Sequence, residues 1–255
     1  MHWDPAVYLH YADARLRPAL DLLARVPLDR PRRLADLGCG AGNVTAMLRR
    51  RFPDAAVTGV DASAPMLDQA RAAAPDCAFE QADIAAWTPS EPPDLVFSNA
   101  ALHWLGDHAT LLPRLLGTLA PGGVLAVQMP AMHDAPVRAL QHEVAARGPW
   151  AALLAGVGSA PPILPAEAYW DLLRPHCAAL DLWETTYLHV LTGEDAVLHW
   201  AMGTSLRPFL APLPPEWRAA FLDAYRAALA PVYPRRPDGT TLLAFRRLFL
   251  VARPG

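Results

Sequence analysis

The sequence predicts an α/β fold, a mostly parallel sheet wrapped by helices. Strand-like and helix-like segments alternate from about residue 32 to 129, which reads as crossover connections between parallel strands. A bare stretch, "LADLGCGAGN" (34–43), joins the first strand to its helix, where such sheets bind ligands. Pro121-Gly122-Gly123 punctuates the last helix-to-strand turn of the run.

The strands are expected at "RRLADLG" (32–38), "AAVTGVD" (55–61), "CAFEQAD" (77–83), "DLVFSNA" (94–100) and "GVLAVQMP" (123–130). Helices fall between them near 43–51, 64–73 and 108–119. Alternation then stops. Residues 131–178 read as helical and proline-interrupted, while "LDLWETTYLHVL" (180–191) and "TLLAFRRLFLVAR" (241–253) read as strands with a helical insertion between them. The whole, 1–255, is expected to be a single domain with its ligand-binding core at 30–130 and helical lid segments at 1–29, 131–178 and 192–240.

Composition narrows the function. Net charge is −3 and the longest like-charge run is Arg49-Arg50-Arg51, at an expected helix end where cations favour the dipole. Nucleic acid, whose binding leans on a basic surface, is therefore not the expected partner. Every basic residue is arginine. With no lysine, a Walker-type phosphate loop, a pyridoxal Schiff base and a lysine general base are excluded together. Cys39, Cys77 and Cys177 are odd in number and far apart, which suits a reducing compartment and buried thiols. No apolar run approaches the ~18 residues of a membrane span. The opening residues carry no basic segment followed by an apolar core. The expectation is a cytoplasmic protein with no membrane partner, and no His/Cys/Asp cluster has metal-ligand spacing.

Gly38, Gly40 and Gly42 let the chain turn sharply and bring its backbone close to a ligand. A dinucleotide loop has the spacing G-x-G-x-x-G and presents a helix dipole to a pyrophosphate. Here the spacing is G-x-G-x-G, and Asp36 stands two residues before the first glycine. A carboxylate there repels pyrophosphate but pairs with an ammonium group. S-adenosylmethionine has that ammonium and no phosphate. Asp61, ending the second strand, is placed to take both ribose hydroxyls. Asp83 offers an acceptor for the adenine amino group, Ile84 an apolar neighbour for the ring, and Asn99 lies under the methionyl part.

At these residues the chain resembles the class I S-adenosylmethionine-dependent methyltransferases, with "DLGCGAGN", "TGVDAS", "QADI" and "PGG" in the expected order. The resemblance implies a Rossmann-like, doubly wound seven-stranded sheet whose last strand is antiparallel and inserted between the fifth and sixth. It also implies cofactor contacts from Asp36, Gly38, Cys39, Gly40, Asn43, Asp61, Ala62, Asp83, Ile84 and Asn99. Over nearly the whole chain a narrower likeness, to the trans-aconitate 2-methyltransferases, rests on "YLHY" (8–11), "RPALDLLARVPL" (17–28), "GGVLAVQMP" (122–130), "WETTYLHVL" (183–191), "LRPFL" (206–210) and "LLAFRRLFLVAR" (242–253). It implies O-methylation of a small polycarboxylic acid. The chain departs from that family's pattern at Ala41, His103, Ala131-Met132 and Ser205. Another small acid or a phenol as acceptor, or a non-catalytic S-adenosylmethionine-binding subunit, are the alternatives.

Methylating a carboxylate needs no general base, because the acceptor is already anionic at neutral pH. Selecting a polycarboxylate needs arginine, whose planar fork binds carboxylates bidentately. Arg207, in "LRPFL" expected to end the insertion's first helix, and Arg247 on the closing strand are the candidate clamps, with Tyr8, His10 and Tyr187 as further donors. Arg246 and Arg247 are adjacent in that strand, so one faces each side of the sheet, and Arg246 reads as a solvated charge. His103-Trp104 follows the fourth strand, near the methyl-transfer point by the family's architecture; His103 is the one candidate for a base and Trp104 for a substrate contact.

Overall fold

The computed structural model describes residues 16–158 and 163–255. The expected positions Tyr8 and His10 lie outside the described residues. In chain order the elements are α1 (Arg17–Leu23), β1 (Arg33–Leu37), α2 (Asn43–Arg51), β2 (Ala56–Asp61), α3 (Ala64–Ala73), β3 (Ala78–Gln81), β4 (Leu95–Asn99), a 3-10 turn (Leu102–Trp104), α4 (His108–Gly117) and β5 (Val124–Pro130). There follow α5 (Pro136–Arg147), α6 (Ala166–Leu173), β6 (Cys177–Thr192), α7 (Ala196–Met202), α8 (Arg207–Leu210), α9 (Pro215–Leu229) and β7 (Thr240–Pro254).

The seven strands form one sheet in the order β3-β2-β1-β4-β5-β7-β6. The first five pair in parallel, and β7 runs antiparallel to β5, from Leu125 opposite Ala252 to Pro130 opposite Arg247. This is the expected topology, with the last strand inserted between the fifth and sixth. Strands β1, β4 and β5 are buried almost throughout, which is why their sequences are mostly apolar and their few polar residues, Asp36, Ser98, Asn99 and Gln128 among them, stand out. At the two edges β3 is largely exposed and β6 has few buried residues.

Four expectations shift in detail. β3 ends at Gln81, not 83, because the Asp83 carboxylate accepts the Ala85 N–H and turns the chain out of the ladder. α4 stops at Gly117, where Thr118 and Leu119 bond back three residues to Leu115 and Leu116 and tighten the last turn. β6 starts at Cys177, directly after the 3-10 turn Arg174–His176. The insertion's first helix ends at Met202, and Arg207 begins a separate single turn beside Pro208, which suits a first-turn position.

Two compact units share the chain. One contains the residues up to Pro130, Leu164–Thr185 and Arg247–Gly255. The other contains Ala131–Ile163 and Thr186–Arg246, so the divisions fall inside β6 and β7. In the second unit Val137, Val144, Trp150, Phe209, Phe221, Tyr225 and Leu243 build a separate core, with Trp150 meeting Phe221 edge to face. Its buried polar centre is Gln141, which donates to Ser205 Oγ (2.6 Å) and Tyr225 Oη (3.2 Å), while Tyr225 donates to the Val137 carbonyl (2.7 Å).

Candidate active site

The site grows from the turn between β1 and α2. Gly38, Gly40 and Gly42 all have left-handed φ, at 75°, 53° and 83°. Their surroundings differ. A Cβ on Gly38 would stand 2.1 Å from Ala101 Cβ, and one on Gly42 would stand 2.9 Å from Ala70 Cα. Both glycines therefore serve packing. At Gly40 a Cβ would meet no atom of the described residues within 4 Å beyond its chain neighbours, so among them this backbone is open and can be approached closely. Asn43 begins α2 and is exposed.

Two acids flank the loop. Asp36, 1% exposed within β1, accepts a hydrogen bond from Thr45 Oγ1 at 2.7 Å. Burial, offset in part by Thr45 and reinforced by Asp61, raises its pKa from 3.8 to about 7. An ionised carboxylate in such a place calls for a cation. Asp61, at the end of β2, accepts the Gly40 N–H at 2.9 Å through one oxygen and the Ser63 N–H at 2.9 Å through the other. Since a carboxylate has about four lone-pair sites, each oxygen keeps one for a hydroxyl. Between the acids, burial together with Asp36 and Asp61 pushes the Cys39 thiol up to about 12. It is no nucleophile; its backbone belongs to the loop.

Ala62 follows Asp61 and its carbonyl accepts from Gln81 Nε2 at 3.1 Å. The segment carrying exposed Asp83 and half-buried Ile84 is held by Arg114 of α4, which donates to the carbonyls of Ile84 (2.8 Å), Ala85 (3.0 Å) and Trp87. Sequence reasoning missed Arg114, whose helix setting alone says nothing of a loop some 30 residues earlier. After Asn99 the chain enters the 3-10 turn through Ala100, a non-glycine residue at φ 55°, strained but pinned by its N–H bond to the Gln128 carbonyl at 2.9 Å. Half-buried His103 lies against Trp104 with ring centroids 4.6 Å apart, and Trp104 is 72% exposed. Buried His108 anchors the turn: its Nε2 contacts the Leu102 carbonyl (2.9 Å) and its Nδ1 the Tyr169 hydroxyl (2.5 Å). A carbonyl only accepts, so Nε2 carries the proton and Tyr169 donates to Nδ1.

Further along the edge, Asn99 is paired with Gln128, and Pro130 with Arg247. Residues two apart share a face, so Asn99, Gln128 and Arg247 lie on one side and Arg246 on the other. Arg247 donates to Gln128 Oε1 at 3.1 Å. Arg246 instead donates through Nη2 to both carboxylate oxygens of Asp134 (2.8 and 2.9 Å) and through Nε to the Ala131 carbonyl. The two arginines thus divide as the alternation requires. Gln128, fully buried in a central strand, was also missed by sequence reasoning. In the second unit, Tyr187 is 5% exposed, whereas Arg207 is exposed between buried Leu206 and Phe209.

These residues fit S-adenosylmethionine: a buried acid for an ammonium, an acid with free lone pairs for a diol, and a glycine with open space over it. The buried Asn99 Oδ1 has no hydrogen-bond partner among the described residues. No group of three His, Cys, Asp or Glu among the described residues is placed to hold a metal ion.

Residues 34–123 match the methyltransferase domain family. The trans-aconitate 2-methyltransferase of Methylobacterium radiotolerans is 55% identical over 254 residues, covering 98% of each chain, and that of Azoarcus sp. is 52% identical over 250 residues with the same coverage. The chain belongs to the trans-aconitate 2-methyltransferase family. Its fold is also similar to Haemonchus contortus phosphoethanolamine N-methyltransferase 2, solved with phosphomonomethylethanolamine and S-adenosylhomocysteine, at TM-score 0.55 and 15% identity. That alignment covers 94% of this chain but about half, 53%, of the worm protein, and at this identity it speaks for the fold alone.

Membership in the trans-aconitate 2-methyltransferases gives the departures a context. Ala131 and Met132 are buried at 3% and 7%, with the Ala131 N–H bonded to the Arg246 carbonyl. Ser205 is tied to Gln141 inside the helical unit.

Proposed function

We propose that this chain methylates a carboxylate of trans-aconitate, using S-adenosylmethionine and giving the monomethyl ester, in the cytoplasm and with no nucleic acid or membrane partner. One observation supports this beyond family membership: the edge is chemically polarised. Buried Asp36 and half-buried Asp61 sit at β1 and β2, and the cation Arg247 sits at β7. A cationic donor belongs at the first and an anionic acceptor at the second.

S-adenosylmethionine, when bound, supplies a methyl group on an electrophilic sulfonium. The protein's part is to orient, to hold close and to exclude water, which together lower a barrier by several kcal/mol. Asp36 takes the ammonium, Asp61 the ribose hydroxyls, Asp83 and Ile84 the adenine, and Asn99 the methionyl part, with Gly38, Cys39, Gly40, Asn43 and Ala62 providing backbone. Arg247 and Trp104 contact the acid. Arg207, Tyr187, Tyr8 and His10 are assigned to it on the sequence likeness. No side chain needs to remove a proton from an acid already ionised.

The test is a panel of mono-, di- and tricarboxylates and phenols with methyl-labelled cofactor, the product located by mass spectrometry. Preferred transfer to trans-aconitate is expected. Preferred transfer to a phenol or monocarboxylate would displace the reading.

A further inference from the structure

The amide of Gln128 sits where no structural need explains all of it. A guanidinium has only donors, so the group facing Arg247 at 3.1 Å must be the amide oxygen, which settles the orientation of the side chain. The NH2 end is then left over. It is buried, on a residue with 0% exposure, and Nε2 has no hydrogen-bond partner among the described residues. Buried polar groups are rarely left so, because desolvation is not repaid.

We infer that Gln128 is a specificity-determining residue: its Oε1 holds Arg247 while its Nε2 donates to a carboxylate oxygen of the acceptor, so the two form one clamp. This rests on the methyltransferase reading above. The clamp's chemistry asks for a carboxylate, and two are available, the acceptor's and the cofactor's own methionyl carboxylate. Topology favours the acceptor's. The cofactor acids stand on β1, on β2 and just after β3, while β5 and β7 lie on the far side of β4. With strands about 4.8 Å apart, Gln128 on β5 is roughly 10 Å and Arg247 on β7 roughly 14 Å from β1. Asn99 Oδ1, in register with Gln128 and also without a partner among the described residues, can only accept, so it suits a donor group and not the carboxylate. Neighbouring strands thereby present an acceptor and a donor on the same face.

Gln128→Glu and Gln128→Leu separate this from a purely structural role. Glutamate keeps an oxygen for Arg247, and a residue that merely props up the guanidinium is replaced by it without loss. A donor to substrate becomes an anion that repels it. Calorimetry of trans-aconitate on the protein saturated with S-adenosylhomocysteine is expected to show at least tenfold weaker binding in both variants, weakest in Gln128→Glu, while S-adenosylhomocysteine affinity stays within about twofold. Should either variant fail to fold, the other carries the measurement, and S-adenosylhomocysteine binding certifies the fold. Unchanged trans-aconitate binding in Gln128→Glu overturns the inference. So does a parallel loss of S-adenosylhomocysteine affinity, which would give the amide to the cofactor's carboxylate. If the wild-type protein ignores trans-aconitate but methylates another carboxylic acid, the substrate reading fails and the same measurement is made with that acid. A wild-type protein that methylates no acid overturns both.

Discussion

Asp61 reaches across from β2 to bond the Gly40 N–H at 2.9 Å, so the acid that offers oxygens to a ligand also shapes the loop beside it. Two roles in one side chain give a specific expectation. Asp61→Ala loses the hydroxyl bonds and the loop anchor together, and is expected to weaken S-adenosylmethionine binding by roughly 1.5–3 kcal/mol or more per charged bond lost. Asp61→Asn keeps one acceptor and is expected to fall between. Calorimetry on both, with thermal unfolding to read the loop's contribution, checks the order.

Gly38 and Gly40 have similar backbone angles but are expected to respond differently to alanine. Gly40→Ala meets no described residue beyond its chain neighbours within 4 Å and bears the left-handed strain of about 1–2 kcal/mol. It should fold, and lose at least about tenfold in cofactor affinity because the methyl group enters the space above the loop. Gly38→Ala adds a collision with Ala101 and should lose about 3 kcal/mol or more of stability. Melting temperatures and cofactor binding on the pair distinguish a ligand-facing glycine from a packing one.

Asp36 makes the protein's stability depend on pH in an unusual direction. Its pKa is raised from 3.8 to about 7, so between those values the folded chain holds a proton that the unfolded chain has released. Stability from this group therefore falls as pH rises through that window, and the penalty is complete above about 7. Asp36→Asn should be more stable than the parent at pH 8, by on the order of 1–4 kcal/mol, with the gap closing at pH 4. A bound ammonium favours the ionised form, so cofactor binding to the parent should release a proton and weaken below pH 7. Calorimetry in buffers of different ionisation enthalpy measures that proton; Asp36→Asn should release none from this position and bind poorly.

The resemblance drawn from the sequence implies glutamine where His103 stands, so His103→Gln is expected to retain most activity. A base typically contributes a hundredfold or more. A loss of turnover beyond about a hundredfold with folding intact would make His103 the base for an acceptor that must lose a proton.

The arginines should separate by role. Arg246→Met breaks a half-exposed pair with Asp134, costing about 0.5–1 kcal/mol of stability and leaving turnover nearly unchanged. Arg247→Met should lower kcat/KM for trans-aconitate by roughly 30-fold or more without loss of cofactor affinity. Arg207→Ala should do likewise for di- and tricarboxylates but much less for monocarboxylates, and Arg207→Lys should not fully rescue it. Equal losses on both substrate types would make Arg207 a support of its own unit.

The sequence by itself determined the sheet core, the strand ends that carry Asp36, Asp61 and Asn99, and the opposite facing of Arg246 and Arg247. These follow from local periodicity and from glycines whose backbone angles other residues rarely adopt. Tertiary structure alone decided that Gly38 and Gly42 are packing glycines while Gly40 faces open space, that Arg114 holds the loop after β3, and that Gln128 meets Arg247. Each depends on which strands become neighbours. Gln128 and Arg247 are far apart in the chain and touch only because β7 enters beside β5, a pairing set by burying both strands' apolar faces over the whole sheet. The single turn at Arg207 has the same origin: Leu206 and Phe209 are held inward by the second unit's core, and that places the arginine between them at the surface.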